Sequence, residues 1–121
     1  MFNVASTLAP HVSAGKLKAF GVAQPKRAGA MPDVPTMDEA GMTGIDAGIW
    51  IGLLAPAGTA ADIVEKLSAS ANAALKTEAV TTALKAQGID PLGSSPKQFA
   101  DFIAADIKKW VAVLTATGLR K

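Results

Sequence analysis

The feature that most constrains this chain is an apolar run near its middle, residues 45–56, which reads IDAGIWIGLLAP. The run is much shorter than the roughly 20 apolar residues that a membrane-spanning helix needs. Its β-branched residues and Trp50 favour a β-strand, and Gly48 and Gly52 would permit another backbone to approach closely. The chain is therefore expected to contain a β-sheet.

Two further segments have strand character. Residues 16–23 alternate in the way expected of a strand with one buried face, and residues 89–92 can form a short strand. Strands that are repeatedly followed by helices predict a parallel or mixed sheet covered by helices. Three or so strands are few for such a sheet, and the opening residues, MFNV, resemble the end of a strand. We therefore expect the chain to be part of a longer protein.

Capping residues and glycines indicate where helices begin and end. Residues 5–14 predict a first helix that is closed by Gly15. The strongest start is Ser95-Pro96-Lys97-Gln98, in which Ser95 caps the helix, Pro96 takes the first turn and Gln98 completes a capping box. Other starts are predicted at Thr36, Thr59 and Thr77, and other ends at Gly41, Gly88 and Gly118. The last helix is expected to bury Phe99, Phe102, Ile103, Ile107, Trp110 and Leu114.

Composition excludes several classes of protein. Half of the 121 residues are hydrophobic and 18% are charged, which argues against a disordered chain. The net charge of +2 is spread over short clusters without a basic stripe, which argues against nucleic-acid binding. The chain has no cysteine, so disulfides and thiolate chemistry are not available.

The sequence offers no catalytic or metal-binding constellation. The single histidine, His11, lacks the neighbouring carboxylate that an activated nucleophile would need and the partner ligands that a metal would need. We therefore expect neither an enzyme nor a cofactor. Helix N-termini present N–H groups with partial positive charge, which suit a carboxylate ligand. Trp50 is either a core residue or a wall of a ligand cleft.

Four motifs lie in a specific order along the chain. They are HVSAGKLKAFGV at 11–22, MPDVPT at 31–36, EAG at 39–41 and WIGLLAPAGT at 50–59. Together they closely resemble the solute-binding proteins of tripartite tricarboxylate transporters, the TctC or Bug family. The resemblance covers essentially the whole chain and corresponds to the C-terminal portion of a typical member.

The resemblance implies an α/β fold that forms part of a two-lobed periplasmic-binding-protein architecture (type II, Venus-flytrap), with three or so strands covered by helices. Residues 1–24 would end the second lobe, residues 25–45 would return across the hinge, and residues 46–121 would form the C-terminal part of the first lobe. The missing part of a typical member would carry the signal peptide, which the first residues of this chain do not resemble.

The function implied is that of a periplasmic protein that captures a small organic carboxylate. It would deliver this ligand to the membrane subunits of the transporter without entering the membrane itself. The candidate ligand-binding residues are Asn3, Ser6, Thr7 and Trp50. Many members have Asp where this chain has Asn3, and an amide can donate as well as accept and lacks the negative charge.

The alternative is an independent small α/β interaction module, or a dimer that pairs the strand edges left open. If the chain is a truncated part of a longer protein, it should by itself keep its helices. It should also expose apolar surface at Ile49, Ile51 and Leu53 and along residues 17–23.

Overall fold

The computed structural model describes residues 1–119, which form four α-helices. They are α1 (Ala5–Ser13), α2 (Ala61–Ala74), α3 (Glu78–Ala86) and α4 (Pro96–Ala116). The sequence predicted helices in all four places, and this prediction is confirmed. None of the helices in the described residues combines the length and apolar character that crossing a membrane requires. The last two residues of the predicted 46–121 segment lie outside the described part of the chain.

Three of the helices end at the predicted glycines. Gly15 follows α1, Gly88 follows α3 and Gly118 follows α4, with φ angles of +69°, +70° and +73°. Residues with a side chain adopt this left-handed conformation only at a cost, so a glycine at this point stops a helix efficiently.

The helix starts are confirmed at Ser95 and only in part at Thr36. The hydroxyl of Ser95 accepts the N–H of Gln98 at 3.2 Å, and the Gln98 side chain accepts the N–H of Ser95 at 2.9 Å. Thr36 and Glu39 make the same reciprocal pair, at 3.1 and 2.8 Å. The chain after Thr36 nevertheless makes only a turn, because Gly41 follows before a second helical turn can add hydrogen bonds.

The prediction that Thr59 caps α2 is wrong. Its hydroxyl donates to the carbonyl of Pro56 at 2.8 Å, within a turn that contains Gly58 at a φ of +84°. The N–H groups of Ile63 and Val64 instead donate to the carbonyl of Ala60, the residue before α2. The Thr59 hydroxyl therefore donates within the turn and caps no helix, and Ala60 is the residue that precedes α2.

The predicted strands do not pair into a sheet within residues 1–119. One isolated parallel bridge joins Val22 and Thr36, and the N–H of Ala47 donates to the carbonyl of Ala23 at 2.9 Å. Residues 45–56 and 89–92 form no strand in the described chain. A strand requires a neighbouring backbone along its length, and the single bond from Ala47 to Ala23 does not supply this within the described residues.

The described chain divides into two compact units. The first comprises Met1–Leu54 and Leu75–Pro91, and the second comprises Ala55–Ala74 and the chain from Leu92 onward. The core of the first unit is small and lies in the loop region around the bridge; its buried residues are Val22, Ala28, Val34, Thr36 and Met37. The division of the chain into lobes stays a prediction.

The second unit is built on α2 and α4, which pack against each other. The side-chain amide of Asn72 on α2 donates to the carbonyl of Ser94, next to the start of α4, at 2.9 Å. The prediction that α4 buries its apolar residues is wrong for this chain. Phe99 and Ile103 are half-buried, whereas Phe102, Ile107, Trp110 and Leu114 are between 37% and 59% exposed. One packed helix cannot cover the whole apolar face of a 21-residue helix.

Candidate functional site

The start of α1 is the place where three of the four predicted site residues come together. Val4 precedes the helix in an extended conformation, and its side chain cannot cap the helix. The side-chain oxygen of Asn3 accepts the N–H of Val4 at 2.8 Å. The N–H groups of Thr7 and Leu8 both donate to the carbonyl of Val4, at 3.1 and 3.3 Å.

Two backbone donors at this helix start have no acceptor among the described residues. Within residues 1–119, the N–H groups of Ala5 and Ser6 make no hydrogen bond. Such donors carry the partial positive charge of a helix N-terminus, and an acceptor oxygen placed there typically contributes about 1 kcal/mol. In α4 this acceptor is the chain's own Ser95. At α1 an external carboxylate could take that place.

The polar side chains at this end add further donors. Asn3 and Thr7 are exposed, and Ser6 is half-buried. The oxygen of Asn3 is occupied by Val4, whereas its NH₂ group has no partner among residues 1–119. The hydroxyls of Ser6 and Thr7 likewise have none in the described chain. Both kinds of group can donate to a carboxylate oxygen.

Ser6 packs directly against Gly88, the residue that ends α3. A Cβ atom built on Gly88 would collide with the Cβ of Ser6 and would lie 3.1 Å from its Oγ. Only glycine therefore fits at this position, for reasons of space as well as of conformation. The contact fixes the first turn of α1 against the end of α3.

Beside this contact lies a recess of about 260 Å³, lined by Gly29, Ala30, Lys85, Gly88 and Asp90. The carboxylate of Asp90 accepts the N–H of Gly29 at 3.3 Å, across 61 positions of sequence. The lining carries one cation, Lys85, and one anion, Asp90, so its charges are balanced. Of these lining residues, only Gly88 was singled out from the sequence, and only as the end of a helix. No local pattern marks the others as neighbours in space, because the segments that meet here are far apart along the chain.

Trp50, the fourth predicted residue, lies apart in sequence within the run at 45–56. Its side chain is 39% exposed, so it is not a fully buried core residue. His11 lies in the last turn of α1, at the opposite end from Asn3, where a cation is favoured by the helix dipole. The described residues contain no group of three His, Cys, Asp or Glu side chains that could hold a metal ion.

A family model described as the tripartite tricarboxylate transporter family receptor (TctC) matches residues 1–119. The chain belongs to this family. The family is one of binding proteins, so the match agrees with the lack of a catalytic constellation in the sequence.

Two relatives illustrate the similarity. BugT of Bordetella pertussis (strain Tohama I) is 36% identical over 110 residues, which are 91% of this chain and 34% of BugT. A protein encoded in the tcbD–tcbE intergenic region of Pseudomonas sp. (strain P51) is 33% identical over 111 residues, which are 91% of this chain and 33% of that protein. The chain thus spans about a third of the length of these relatives.

Two solved structures share the fold of the matched part. Rpa4515 of R. palustris, determined with adipate, has a TM-score of 0.73 and 30% identity, covering 94% of this chain and 38% of that chain. The periplasmic binding protein BugD has a TM-score of 0.73 and 32% identity, covering 94% of this chain and 39% of its own. The fold of this chain is therefore that of a part of a periplasmic binding protein.

Proposed function

We propose that this chain is part of a periplasmic solute-binding protein that captures a small organic carboxylate for a tripartite tricarboxylate transporter. The observation that carries the proposal is the match to the receptor family across residues 1–119. The structural neighbour that was determined with adipate supports a dicarboxylate as the class of ligand.

The start of α1 offers a chemical reason for carboxylate binding. The N–H groups of Ala5 and Ser6, the NH₂ of Asn3 and the hydroxyls of Ser6 and Thr7 are all donors, and none of them has a partner in the described chain. A carboxylate accepts several hydrogen bonds at once, and charge-assisted bonds of this kind are stronger than bonds between neutral groups. In this proposal the α1 start holds one carboxylate of the ligand, and Trp50 forms part of the cleft wall.

The architecture proposed is a two-lobed clamp that closes on the solute. Residues 1–24 would end one lobe, residues 25–45 would cross the hinge, and the residues from 46 onward would complete the other lobe. The loaded protein would then present the solute to the membrane subunits of the transporter. Closure around a ligand by hinge motion is the usual way in which such clamps sequester small solutes.

The test uses a hybrid protein, in which residues 1–121 replace the part of Rpa4515 that they match. Titration calorimetry with adipate is expected to show saturable binding, and dimethyl adipate, which has the same chain length without the charges, is expected not to bind. The double variant Ser6→Ala and Thr7→Ala should weaken adipate binding by at least about 100-fold, because each lost hydrogen bond to a charged group is worth about 1.5–3 kcal/mol and a factor of ten in affinity corresponds to about 1.4 kcal/mol.

The matched control is Ser13→Ala, which removes a hydroxyl at the other end of α1 and should leave adipate affinity unchanged. Equal binding of adipate and its dimethyl ester would contradict the carboxylate as ligand. Equal affinity of the hybrid with and without the Ser6 and Thr7 hydroxyls would contradict the placement of the site at the start of α1.

A further inference from the structure

The recess of about 260 Å³ in the first unit is lined by two opposite charges that form no ion pair. The cation is Lys85, in the last turn of α3, and the anion is Asp90. Both side chains are exposed, and within residues 1–119 neither of them forms an ion pair with any group. Opposite charges that line one recess without meeting leave room for a ligand between them.

Asp90 is held in place by the backbone of Gly29. The N–H of Gly29 donates to Oδ2 of Asp90 at 3.3 Å. A Cβ atom built on Gly29 would lie 2.7 Å from Oδ1 of Asp90, so only a glycine lets the carboxylate come this close. Among the described residues Oδ1 accepts no hydrogen bond. One oxygen of the carboxylate is therefore fixed, and the other is available to a donor from outside the chain.

The backbone between the two charges is also fixed. Gly88 ends α3 with a φ of +70° and packs against Ser6, so the turn that separates Lys85 from Asp90 has little freedom. The ammonium of Lys85 can donate three hydrogen bonds and accepts none. In the part of the chain that the structure describes, no acceptor takes them. Lys85 therefore offers donors to a carboxylate, and Asp90 offers an acceptor to an ammonium group.

The rest of the lining is small. It consists of the two glycines, Gly29 and Gly88, and of Ala30, so it offers backbone and one methyl group instead of large apolar side chains. A ligand would therefore be recognised by its charges and not by hydrophobic contact. Pockets for drug-sized ligands typically measure about 300–1,000 Å³, so a recess of about 260 Å³ fits a smaller molecule.

We infer that this recess is a second binding site, which takes a small zwitterion with one ammonium and one carboxylate group. The ammonium donates to Oδ1 of Asp90, and the carboxylate accepts from the ammonium of Lys85. A dicarboxylate fits less well, because Asp90 would repel its second negative charge. The site is separate from the start of α1, since Asn3, Ser6 and Thr7 do not line the recess. The inference therefore does not depend on the proposed function.

The test follows the amide signals of Gly29 and Gly88 by NMR while β-alanine is added to the 121-residue chain and, in parallel, to the hybrid with Rpa4515. Both signals should shift and saturate, with a dissociation constant on the order of 1 mM, because exposed charges bind weakly. The amide of Gly15, which does not line the recess, should not shift. Propionate and propylamine each carry one of the two charges and should bind about fivefold more weakly. Absence of a saturable shift in both proteins, or equal binding of propionate and β-alanine, would overturn the inference.

Matched substitutions locate the two contacts. Lys85→Met keeps the length of the side chain without its charge, and Asp90→Asn keeps an oxygen that accepts the N–H of Gly29. Each should weaken β-alanine binding about fivefold, because each removes one charge-assisted hydrogen bond near the surface. Gly29→Ala should also weaken it, since the added Cβ displaces the carboxylate of Asp90 without changing any charge. Lys76→Met is the control, because Lys76 is exposed and lies outside the recess. An effect of Lys76→Met as large as that of Lys85→Met would contradict the site.

Two further results distinguish this inference from others. Equal, non-additive losses of thermal stability in Lys85→Met and Asp90→Asn, without β-alanine binding, would show that the two charges pair with each other and would overturn the inference. Adipate should still bind to the hybrid when it is saturated with β-alanine, and complete competition between the two would contradict separate sites. A hybrid that binds β-alanine but not adipate would support the inference and contradict the proposed function, so the two can fail separately.

Discussion

The guanidinium of Arg27 lies 2.8 Å from the carboxylate of Glu39, and the same carboxylate oxygen accepts the backbone N–H of Thr36 at 2.8 Å. Arg27 also donates to the carbonyl of Pro32 at 3.2 Å. These bonds close the proline-rich loop between residues 27 and 39. The loop contributes Ala28 and Val34 to the small core, so a surface ion pair here helps to hold the only buried cluster that the described chain forms.

This pair predicts a specific dependence of stability on pH. The hydrogen bond from Arg27, followed by the one from Thr36, lowers the pKa of Glu39 below its ordinary value of 4.5. A carboxyl group whose pKa is lowered by folding stabilises the protein above its unfolded pKa and loses this effect as pH falls through the folded pKa. Glu39→Gln should therefore be less stable than the parent chain at pH 7 and equal to it in strong acid, as measured by thermal unfolding at each pH.

The control for this prediction is Asp62→Asn, which removes one partner of an exposed i,i+4 pair with Lys66 at 3.5 Å. Because exposed pairs of this kind contribute little to stability, Asp62→Asn should change the thermal stability little at any pH. A constant difference between Glu39→Gln and the parent chain at every pH would mean that the substitution acts through packing and not through the charge.

A second prediction concerns Gly88, which combines a positive φ with the contact to Ser6. Gly88→Ala should destabilise the chain by about 1–2 kcal/mol for the left-handed conformation and by about 1–3 kcal/mol more for the overpacked contact. Gly15→Ala is the matched control, since Gly15 has nearly the same φ but nothing within 4 Å of the added Cβ. Urea unfolding of both variants would measure the difference, and equal losses would show that Ser6 gives way without cost.

A third prediction concerns the start of α4. Ser95→Ala removes the acceptor for the N–H of Gln98 and should destabilise the helix by about 1 kcal/mol, as N-cap losses typically do. Ser94→Ala is the control, because the carbonyl of Ser94 accepts the bond from Asn72 and is unaffected by the substitution. Circular dichroism at 222 nm during urea unfolding would separate the two, and a loss in Ser94→Ala as large as in Ser95→Ala would contradict the capping role.

These cases also show why some features could be predicted from the sequence. The capping box of Ser95 and Gln98 depends on four consecutive residues, and a helix end at Gly15 or Gly118 depends on one. Such signals act locally, so they were correct. The prediction that Thr59 caps α2 was wrong although its signal is also local. A second local motif, the turn from Pro56, engages the Thr59 hydroxyl instead.

The features that could not be predicted depend on distant partners. The contact between Gly29 and Asp90 spans 61 positions, and no periodicity reveals it. The exposure of Ile49, Ile51 and Leu53 was predicted correctly, whereas the strand predicted over residues 45–56 is absent from the described chain. The apolar face of α4 was recognised correctly as a pattern. Its burial was not predicted correctly, because burial requires partner surfaces, and the described residues supply too few of them.

The last prediction tests the identity of the residue at position 3. In the hybrid, Asn3→Asp should weaken adipate binding by roughly tenfold, because it places a negative charge beside a bound carboxylate and replaces a donor with an acceptor. Ser70→Asp on α2 changes the net charge equally and should have little effect. Calorimetry at low and high salt would check the cause, since repulsion between charges weakens as salt rises. Unchanged affinity in Asn3→Asp would mean that position 3 caps Val4 and does not contact the ligand.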